Sequence, residues 1–281
     1  MRRLLGIVVR VAALAVLGAL ASALLVRYAP GFGLAEERLD ARLTQEGVER
    51  REQARAGAAG ALAYLRGSLG RWARGDLGES ELFRRPVNEL IGERAGPTLT
   101  GVGAGLGLAW LAALALVVAG LRWRSPWLRA GTHASTGLLQ CLPAAALGLA
   151  LLASGARGAW LLACGIALAV APRLYRIAFE IAREAAGAGH VRQARALGCG
   201  RWRLILIHIL PTAAAPLLAL GGVSAAMGLS AAIPLEMVLD VPGLGQLAWQ
   251  AALARDLNLL VALVVILGAG ITAANAWGER A

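Results

Sequence analysis

The side chains that could perform acid–base or metal chemistry are few in this chain. Its three histidines, His133, His190 and His208, fall on separate segments. None of them has a paired cysteine or carboxylate at the spacing of a metal ligand set. The sequence also contains neither a nucleophile elbow nor a helical His-Glu-x-x-His. We therefore expect no catalytic residue, no metal site and no cofactor.

Composition also excludes an ordinary nucleotide-hydrolysing site. The basic residues number 28 and all of them are arginines, whereas a P-loop needs a lysine on the nucleotide phosphates. If ATP drives this protein, another subunit must hydrolyse it. Nucleic-acid binding is a poor interpretation of the net charge of +11, because the arginines flank apolar segments rather than forming a soluble basic patch.

Three acidic residues, Glu236, Asp240 and Asp256, lie at the predicted outer ends of the last two apolar segments. They could contact a cationic group on a substrate or on a docked binding protein. The alternative is that each of them lies at a solvated loop edge. Within the apolar segments almost no ionisable residue occurs besides Arg10, which disfavours a proton-coupled transporter because such proteins use an acid or a histidine as a relay.

The elements that must position these residues are membrane helices. The chain is 58% hydrophobic and 16% charged, with a mean hydropathy of +0.64, and its charges fall in blocks between long apolar runs. Such runs are typical of spans through a hydrocarbon core of about 30 Å. We therefore predict an all-α polytopic bundle of about six spans. They comprise residues 4–26, 97–121, two helices within 137–172 that a turn at 154–158 joins, 211–235 and 257–277.

The distribution of arginine predicts the topology. Residues 173–203 carry seven arginines against two glutamates, so they are expected to be cytoplasmic. Residues 27–96 carry 12 arginines and 11 acidic residues, and a loop of this length translocates regardless of charge. We predict an N-terminal span at 1–26, an extracytoplasmic polar region at 27–96 with a charged helix near 36–65, and a core at 97–281, with both termini inside. The run 4–26 could also be a signal peptide, although an uncleaved anchor suits the later spans better.

Four glycines at alternate positions from 101 to 107 could suggest a nucleotide fingerprint, but no strand precedes them, so we interpret them as helix-packing residues.

The most informative stretch is 184–216. Residues 191–197 suit a short helix of arginine and alanine, which Gly198 would end. A second amphipathic turn follows at 202–209, and Leu210-Pro211 begins the next span. A short exposed helix of this kind needs a partner groove in which to dock. The composition is equally compatible with an ordinary basic loop.

This stretch resembles a known family. The runs A-R-A-L-G (194–198), R-W-R (201–203) and H-I-L-P (208–211) are similar to the EAA loop of ABC-importer permeases, most closely those of the dipeptide, oligopeptide and nickel class. In that family the loop is a coupling helix that inserts into a cleft of the ATPase. Arg192 and Gln193 stand where the family's Glu and first Ala would lie. The resemblance implies a set of ATPase-coupling residues, namely Arg192, Ala194, Gly198, Leu210 and Pro211.

Two further stretches resemble the B-type subunit of the same class. The first is R-G-D-L-G (74–78) with Ser80, followed by R-P-V, E-L-I, E-R and P-T-L within 85–99. The second is E-M-V (236–238) and V-P-G-L-G (241–245) with a later Arg255-Asp256. The resemblance implies a type I importer fold and outer-loop or gate candidates at Glu236, Asp240, Pro242, Gly243, Gly245 and Asp256.

The resemblance also implies the function and the partners. We expect a channel-forming subunit of an ATP-driven importer in a bacterial inner membrane, working by alternating access. Its partners would be a second homologous permease subunit, two ATP-binding subunits, an extracytoplasmic substrate-binding protein and membrane lipid, without nucleic acid. Peptide is the expected cargo, although nickel-chelate and sugar importers share these motifs. Two other functions stay open, an ATP-independent secondary transporter and a membrane-anchored scaffold that uses 27–96 as its binding module.

Overall fold

The computed structural model describes residues 76–123, 126–155, 158, 160–254 and 256–279, together with the single position 13. Apart from position 13, the predicted first span therefore lies outside the described residues, as does the charged helix near 36–65. The helices are α1 (Val87–Arg122), α2 (Pro126–Cys141), α3 (Ala144–Ala153), α4 (Trp160–Ala185), α5 (Gly189–Ala196), α6 (Arg201–Arg203), α7 (Leu210–Val238), α8 (Leu244–Leu253) and α9 (Leu257–Gly278), with a π-helical turn at Leu204–Ile209 between α6 and α7.

Four helical segments in the described residues are long and apolar enough to cross a membrane. They are α1, α4, the continuous segment Arg201–Val238 and, within α9, Asn258–Gly278. The pair α2–α3 passes the same test jointly and bends by 98°. The bend lies at Leu142 and Pro143, where proline removes a backbone donor and cannot continue the preceding helix. These five candidates agree with the prediction of about six spans, of which the first is not described.

The chain divides into two compact units. One runs to Glu93 and resumes at Leu247–Ala269, and the other comprises Arg94–Gln246 and Gly270–Ala281. In the second unit α4 is central, since α2, α3 and α7 all pack against it. Its buried residues, among them Leu162, Ile166 and Val170, recur every three or four positions and form the centre of the core.

Helix α4 is longer than the sequence predicted. The basic loop was expected to begin at residue 173, but the helix continues to Ala185 with Pro172 inside it. The reason is periodicity, because Tyr175, Ala178 and Ala182 are buried on one face while the arginines lie on the other. The positive charge of this segment therefore belongs to the exposed side of a packed helix as well as to a loop.

Helix α1 also begins earlier than predicted, at Val87 rather than residue 97, and it accommodates Pro97 in its interior. The packing prediction for its glycines is half right. A Cβ at Gly105 would lie 2.7 Å from the Cβ of Ile166, and one at Gly101 would overlap Leu162. These two glycines let α1 approach α4 closely. Gly103 and Gly107 have no described atom within 4 Å of an added Cβ, so packing among the described residues does not require them.

Candidate functional site

The first candidate site is a hairpin formed by residues 189–211. Helix α5 ends in a Schellman motif, in which the Gly198 amide donates to the Arg195 carbonyl and the Cys199 amide donates to the Ala194 carbonyl, both at 3.1 Å. Gly198 has φ +81°, a conformation that disfavours any side chain with a Cβ. The prediction that Gly198 ends a short helix is therefore confirmed.

One face of α5 packs on the chain and the other is open. Val191 is fully buried, and Ala194 and Leu210 pack against the core. Arg192, Gly198 and Pro211 are exposed. Leu197, which directly precedes Gly198, is 88% exposed. An apolar side chain held at the tip of an ordered turn is suited to insertion into a partner's pocket. The sequence analysis did not single out Leu197, although its position directly before the terminating glycine is a usable signal.

Two side-chain contacts attach the hairpin to the spans. The Thr212 hydroxyl donates to the His208 carbonyl at 2.6 Å, so its oxygen accepts a hydrogen bond from His190 Nε2 at 3.0 Å. Nη1 of Arg201 donates to the carbonyl of Arg122, the last residue of α1, at 2.9 Å. Neither pairing could be read from sequence, because the partners are 22 and 79 positions apart.

The second candidate site, the carboxylate–glycine cluster, comprises Thr98, Glu236, Gly243, Leu244 and Gly245. Glu236 is 0% exposed, and its Oε2 accepts the Gly245 amide at 2.6 Å. The Thr98 hydroxyl accepts the Leu244 amide at 2.8 Å. A Cβ at Gly243 would overlap the Glu236 carboxylate. The cluster therefore joins α1, the end of α7 and the start of α8 through direct, buried hydrogen bonds.

Polar contacts extend this cluster toward the surface. Asp240 terminates α7 with φ +53°, and the following amide, that of Val241, donates to the Glu236 carbonyl at 3.0 Å. Gln246 Nε2 donates to Asp240 Oδ1 at 2.6 Å, while Gln246 Oε1 accepts from Arg94 at 3.0 Å. Asp240 is exposed, as is the neighbouring gate candidate, Pro242.

Of the three acidic candidates, Asp256 is the one that lies in the other unit. Its Oδ2 accepts hydrogen bonds from the Ser80 hydroxyl and from the Leu82 amide, and its Oδ1 accepts the Leu259 amide at 3.1 Å in the first turn of α9. Both Ser80 and Asp256 are buried. The structure thus brings the first B-type stretch against the second, a contact that the sequence analysis missed.

The three acidic candidates consequently differ in environment. Glu236 and Asp256 are buried and so do not lie at a solvated loop edge, whereas Asp240 is exposed, which is compatible with either alternative. Backbone amides offset part of the cost of burying these carboxylates, at Oε2 of Glu236 and at both oxygens of Asp256. A direct contact between any of them and a substrate stays a prediction. Among the described residues no three His, Cys, Asp or Glu side chains come together as metal ligands.

Comparison with known proteins gives consistent matches. A model of the family described as "Binding-protein-dependent transport system inner membrane component" matches residues 96–280. The glutathione transport system permease protein GsiC of Salmonella typhi is 31% identical over 209 residues, which cover 69% of this chain and 68% of that protein. GsiC of Pectobacterium atrosepticum is 30% identical over 213 residues, with the same coverage. The oligopeptide transport system permease protein OppB of Escherichia coli K12 is 32% identical over 104 residues, covering 37% of this chain and 34% of OppB.

Proposed function

Because the chain belongs to the family of binding-protein-dependent transport system inner membrane components, we propose that its hairpin couples ATP hydrolysis in partner subunits to alternating access of a peptide pathway. The chain itself is a membrane-embedded permease subunit of an importer and not an enzyme. In this proposal it lines the pathway with a second permease subunit, and an extracytoplasmic binding protein delivers the substrate. Both termini and the hairpin face the cytoplasm.

The observation that carries the proposal is the geometry of α5. It is an eight-residue helix, too short to be stable in water by itself. Here it is ordered by buried Val191, by the Schellman motif and by the bond from His190 to Thr212. Its tip nevertheless exposes Leu197 and Gly198. A rigid attachment combined with an exposed tip is what a lever between two proteins requires.

The carboxylate–glycine cluster is the proposed gate element at the other end of α7. Its hydrogen bonds hold α1, α7 and α8 together, so a movement of α7 that begins at the hairpin would be passed to the loop at Pro242 and Gly243. Helix α7 stays continuous from Leu210 to Val238 although Pro216 and Pro234 lie inside it, so it connects the hairpin directly to the cluster. Asp240 and Pro242, both exposed, are the positions that an incoming binding protein could contact.

Peptide is the proposed cargo. The relatives that share about 30% identity with this chain are named as transport proteins for glutathione and for oligopeptides. Uptake of labelled glutathione and of a labelled tripeptide, compared between cells with and without this chain, tests the cargo. Loss of both uptakes in the deletion strain supports a peptide substrate, while loss of sugar uptake alone would contradict it.

The coupling claim is tested by three glycine variants of the purified complex. Gly198 and Gly200 both have open space around an added Cβ, but Gly198 has φ +81° and Gly200 has φ −61°. Gly198→Ala should cost about 1 kcal/mol locally and displace the tip. Gly200→Ala has an allowed conformation and is the matched control. Gly198→Asn should restore much of the function, since asparagine tolerates the left-handed region.

The readouts are transport and substrate-stimulated ATP hydrolysis in proteoliposomes. Gly198→Ala should lower the number of substrate molecules transported per ATP several-fold, whereas Gly200→Ala should leave the ratio unchanged. Equal ratios in all three variants would contradict a coupling role for the turn. Transport that persists without the ATP-binding subunits and collapses with a proton uncoupler would instead establish secondary transport.

A further inference from the structure

A cavity of about 570 Å³ lies between the inner side of the hairpin and the ends of α1 and α4. This volume falls within the range of roughly 300–1,000 Å³ that is typical of small-molecule sites. The cavity is distinct from the exposed tip at Leu197, which does not line it. Its walls comprise Gly120, Leu121, Phe179, Arg183, Ala186, Gly187, Arg195, Cys199, Arg201, Leu204, Ile205 and Ile209.

Three arginines line this cavity, Arg183, Arg195 and Arg201, and none of the described lining residues is acidic. Arg183 uses its Nε for the Glu180 carboxylate, at 3.0 Å, which leaves its two terminal nitrogens for other partners. Arg201 is oriented by the bond from one terminal nitrogen to the Arg122 carbonyl. An arginine presents five N–H donors in a planar fork that fits phosphate oxygens. The cavity is therefore complementary to a phosphate-bearing anion.

The other side of the cavity is apolar. Leu204, Ile205 and Ile209 come from the π-helical turn, and Leu121 and Phe179 come from α1 and α4. Two exposed tryptophans, Trp123 and Trp202, lie at the same helix ends, and tryptophan is enriched at membrane–water interfaces. A free phosphate ion would satisfy the arginines but would leave the apolar wall without a partner. A ligand that carries both a phosphate and an aliphatic portion satisfies both walls.

We propose that this cavity binds the headgroup of an anionic phospholipid, with the phosphate on Arg183, Arg195 and Arg201 and the acyl chains along the apolar wall. Basic pockets between membrane helices at the bilayer surface bind such headgroups. The occupied site would brace α5 and α6 against the ends of α1 and α4. The proposal goes beyond the coupling function and does not depend on the identity of the cargo or on contact with an ATPase.

The test is lipid binding to the full chain, purified in mild detergent with the subunits that accompany it. Native mass spectrometry measures the affinity for phosphatidylglycerol and for phosphatidylcholine with the same acyl chains. Each basic side chain near an anionic lipid contributes about fivefold in affinity. The double variant Arg183→Gln, Arg195→Gln should therefore weaken phosphatidylglycerol binding about 25-fold, while phosphatidylcholine binding stays weak and unchanged.

The matched control is Arg173→Gln, Arg176→Gln, which removes the same charge from exposed positions of α4 that do not line the cavity. It should change phosphatidylglycerol affinity less than about twofold, because salt screens exposed charges that do not contact the bound headgroup. The single variant Arg195→Lys should lose less affinity than Arg195→Gln, since the charge is kept. Melting temperatures of all variants identify any that fails to fold. If the double variant fails to fold, the affinities of Arg195→Lys and Arg195→Gln for phosphatidylglycerol are compared instead.

Three results would overturn the proposal. The first is equal affinity for the two lipids in the unmodified chain. The second is an equal loss of affinity in the cavity variant and in the control, which would mean a general surface-charge effect. The third is full displacement of phosphatidylglycerol by inorganic phosphate, which would assign the site to a free anion. Failure of the Gly198 experiment leaves this result unaffected, so the two claims fail separately.

Discussion

The hairpin and the carboxylate–glycine cluster both lie where a helix ends, and both helices end through the same backbone pattern. In each case the amide of the residue that follows the left-handed residue donates to the carbonyl five positions earlier in the chain. The donor is Cys199 and the acceptor Ala194 in the hairpin, and the donor is Val241 and the acceptor Glu236 at the cluster. The residue in the left-handed conformation differs, since it is Gly198 in the hairpin and Asp240 at the cluster. What surrounds the two ends differs much more.

At the cluster the chain's own backbone amides pair with Oε2 of Glu236 and with the Thr98 hydroxyl, while Oε1 of Glu236 has no hydrogen-bond partner among the described residues. Glu236 is fully buried and accepts an amide of α8, and Gly243 cannot carry a side chain without meeting that carboxylate. At the hairpin the tip is left open, with Leu197 almost fully exposed and no described atom within 4 Å of a Cβ added at Gly198. Buried hydrogen bonds fix geometry within a chain, whereas an exposed apolar side chain on a rigid turn is available to a partner. The carboxylate–glycine cluster therefore forms contacts within the chain, whereas the hairpin tip is available for a contact with another protein.

The largest effect on stability is expected at the carboxylate–glycine cluster. Gly243→Ala places a methyl group against the Glu236 carboxylate and should destabilise the chain by about 1–3 kcal/mol. Gly103→Ala is the control, because that glycine lies within α1 with open space around it and alanine is the better helix former. Unfolding in detergent, followed by circular dichroism, measures both. Equal stability of the two variants would mean that the cluster is not tightly packed.

A smaller effect is expected at the end of α7. Asp240→Ala retains a Cβ at φ +53° and loses the hydrogen bond from Gln246, so it should cost about 1 kcal/mol. Asp240→Gly loses the same hydrogen bond but removes the backbone strain, and we expect it to be nearly neutral. The difference in unfolding midpoint between the two variants isolates the backbone contribution. A glycine variant less stable than the alanine variant would contradict backbone strain at position 240.

The smallest effect on stability is expected in the hairpin. His190→Ala removes an exposed hydrogen bond to Thr212, and surface substitutions of this kind change stability by about 0.5 kcal/mol or less. The number of molecules transported per ATP should nevertheless fall, because the bond attaches α5 to the start of α7. Thr212→Val should reproduce the result if the bond is responsible. A large loss of stability without any change in that ratio would make the bond structural and not a link in coupling.

Much of this architecture follows from local sequence. The apolar runs predicted the spans of α7 and α9 within three residues, and the glycine at 198 predicted the end of α5, because a left-handed residue after a short helix is a local signal. The end of α4 was predicted too early. The density of arginines from residue 173 onward was interpreted as a loop, although the period of the buried residues continues the helix to Ala185. Helix α8 was also missed, since the run P-G-L-G at 242–245, whose last two residues begin this helix, was taken for a loop.

The hydrogen bonds at the candidate sites could not be predicted from the sequence for a different reason. Ser80 and Asp256 lie 176 positions apart, and Leu244 and Thr98 lie 146 apart. No local pattern carries such pairings, which depend on how the helices pack. The resemblance marked many of these residues as members of shared motifs, but only the structure indicates what each contacts. Asp76 is one example, since its carboxylate accepts the Gly78 amide at 2.8 Å and shapes the turn before Ser80.

The most direct test of the account is photo-cross-linking from the hairpin tip in the assembled complex. A photoreactive amino acid at Leu197 is compared with one at Leu138, an exposed leucine of α2 outside the hairpin. We predict that position 197 cross-links to an ATP-binding subunit and that position 138 does not. An ATP-binding subunit captured from position 138 but not from position 197 would contradict the assignment of the hairpin as the coupling element.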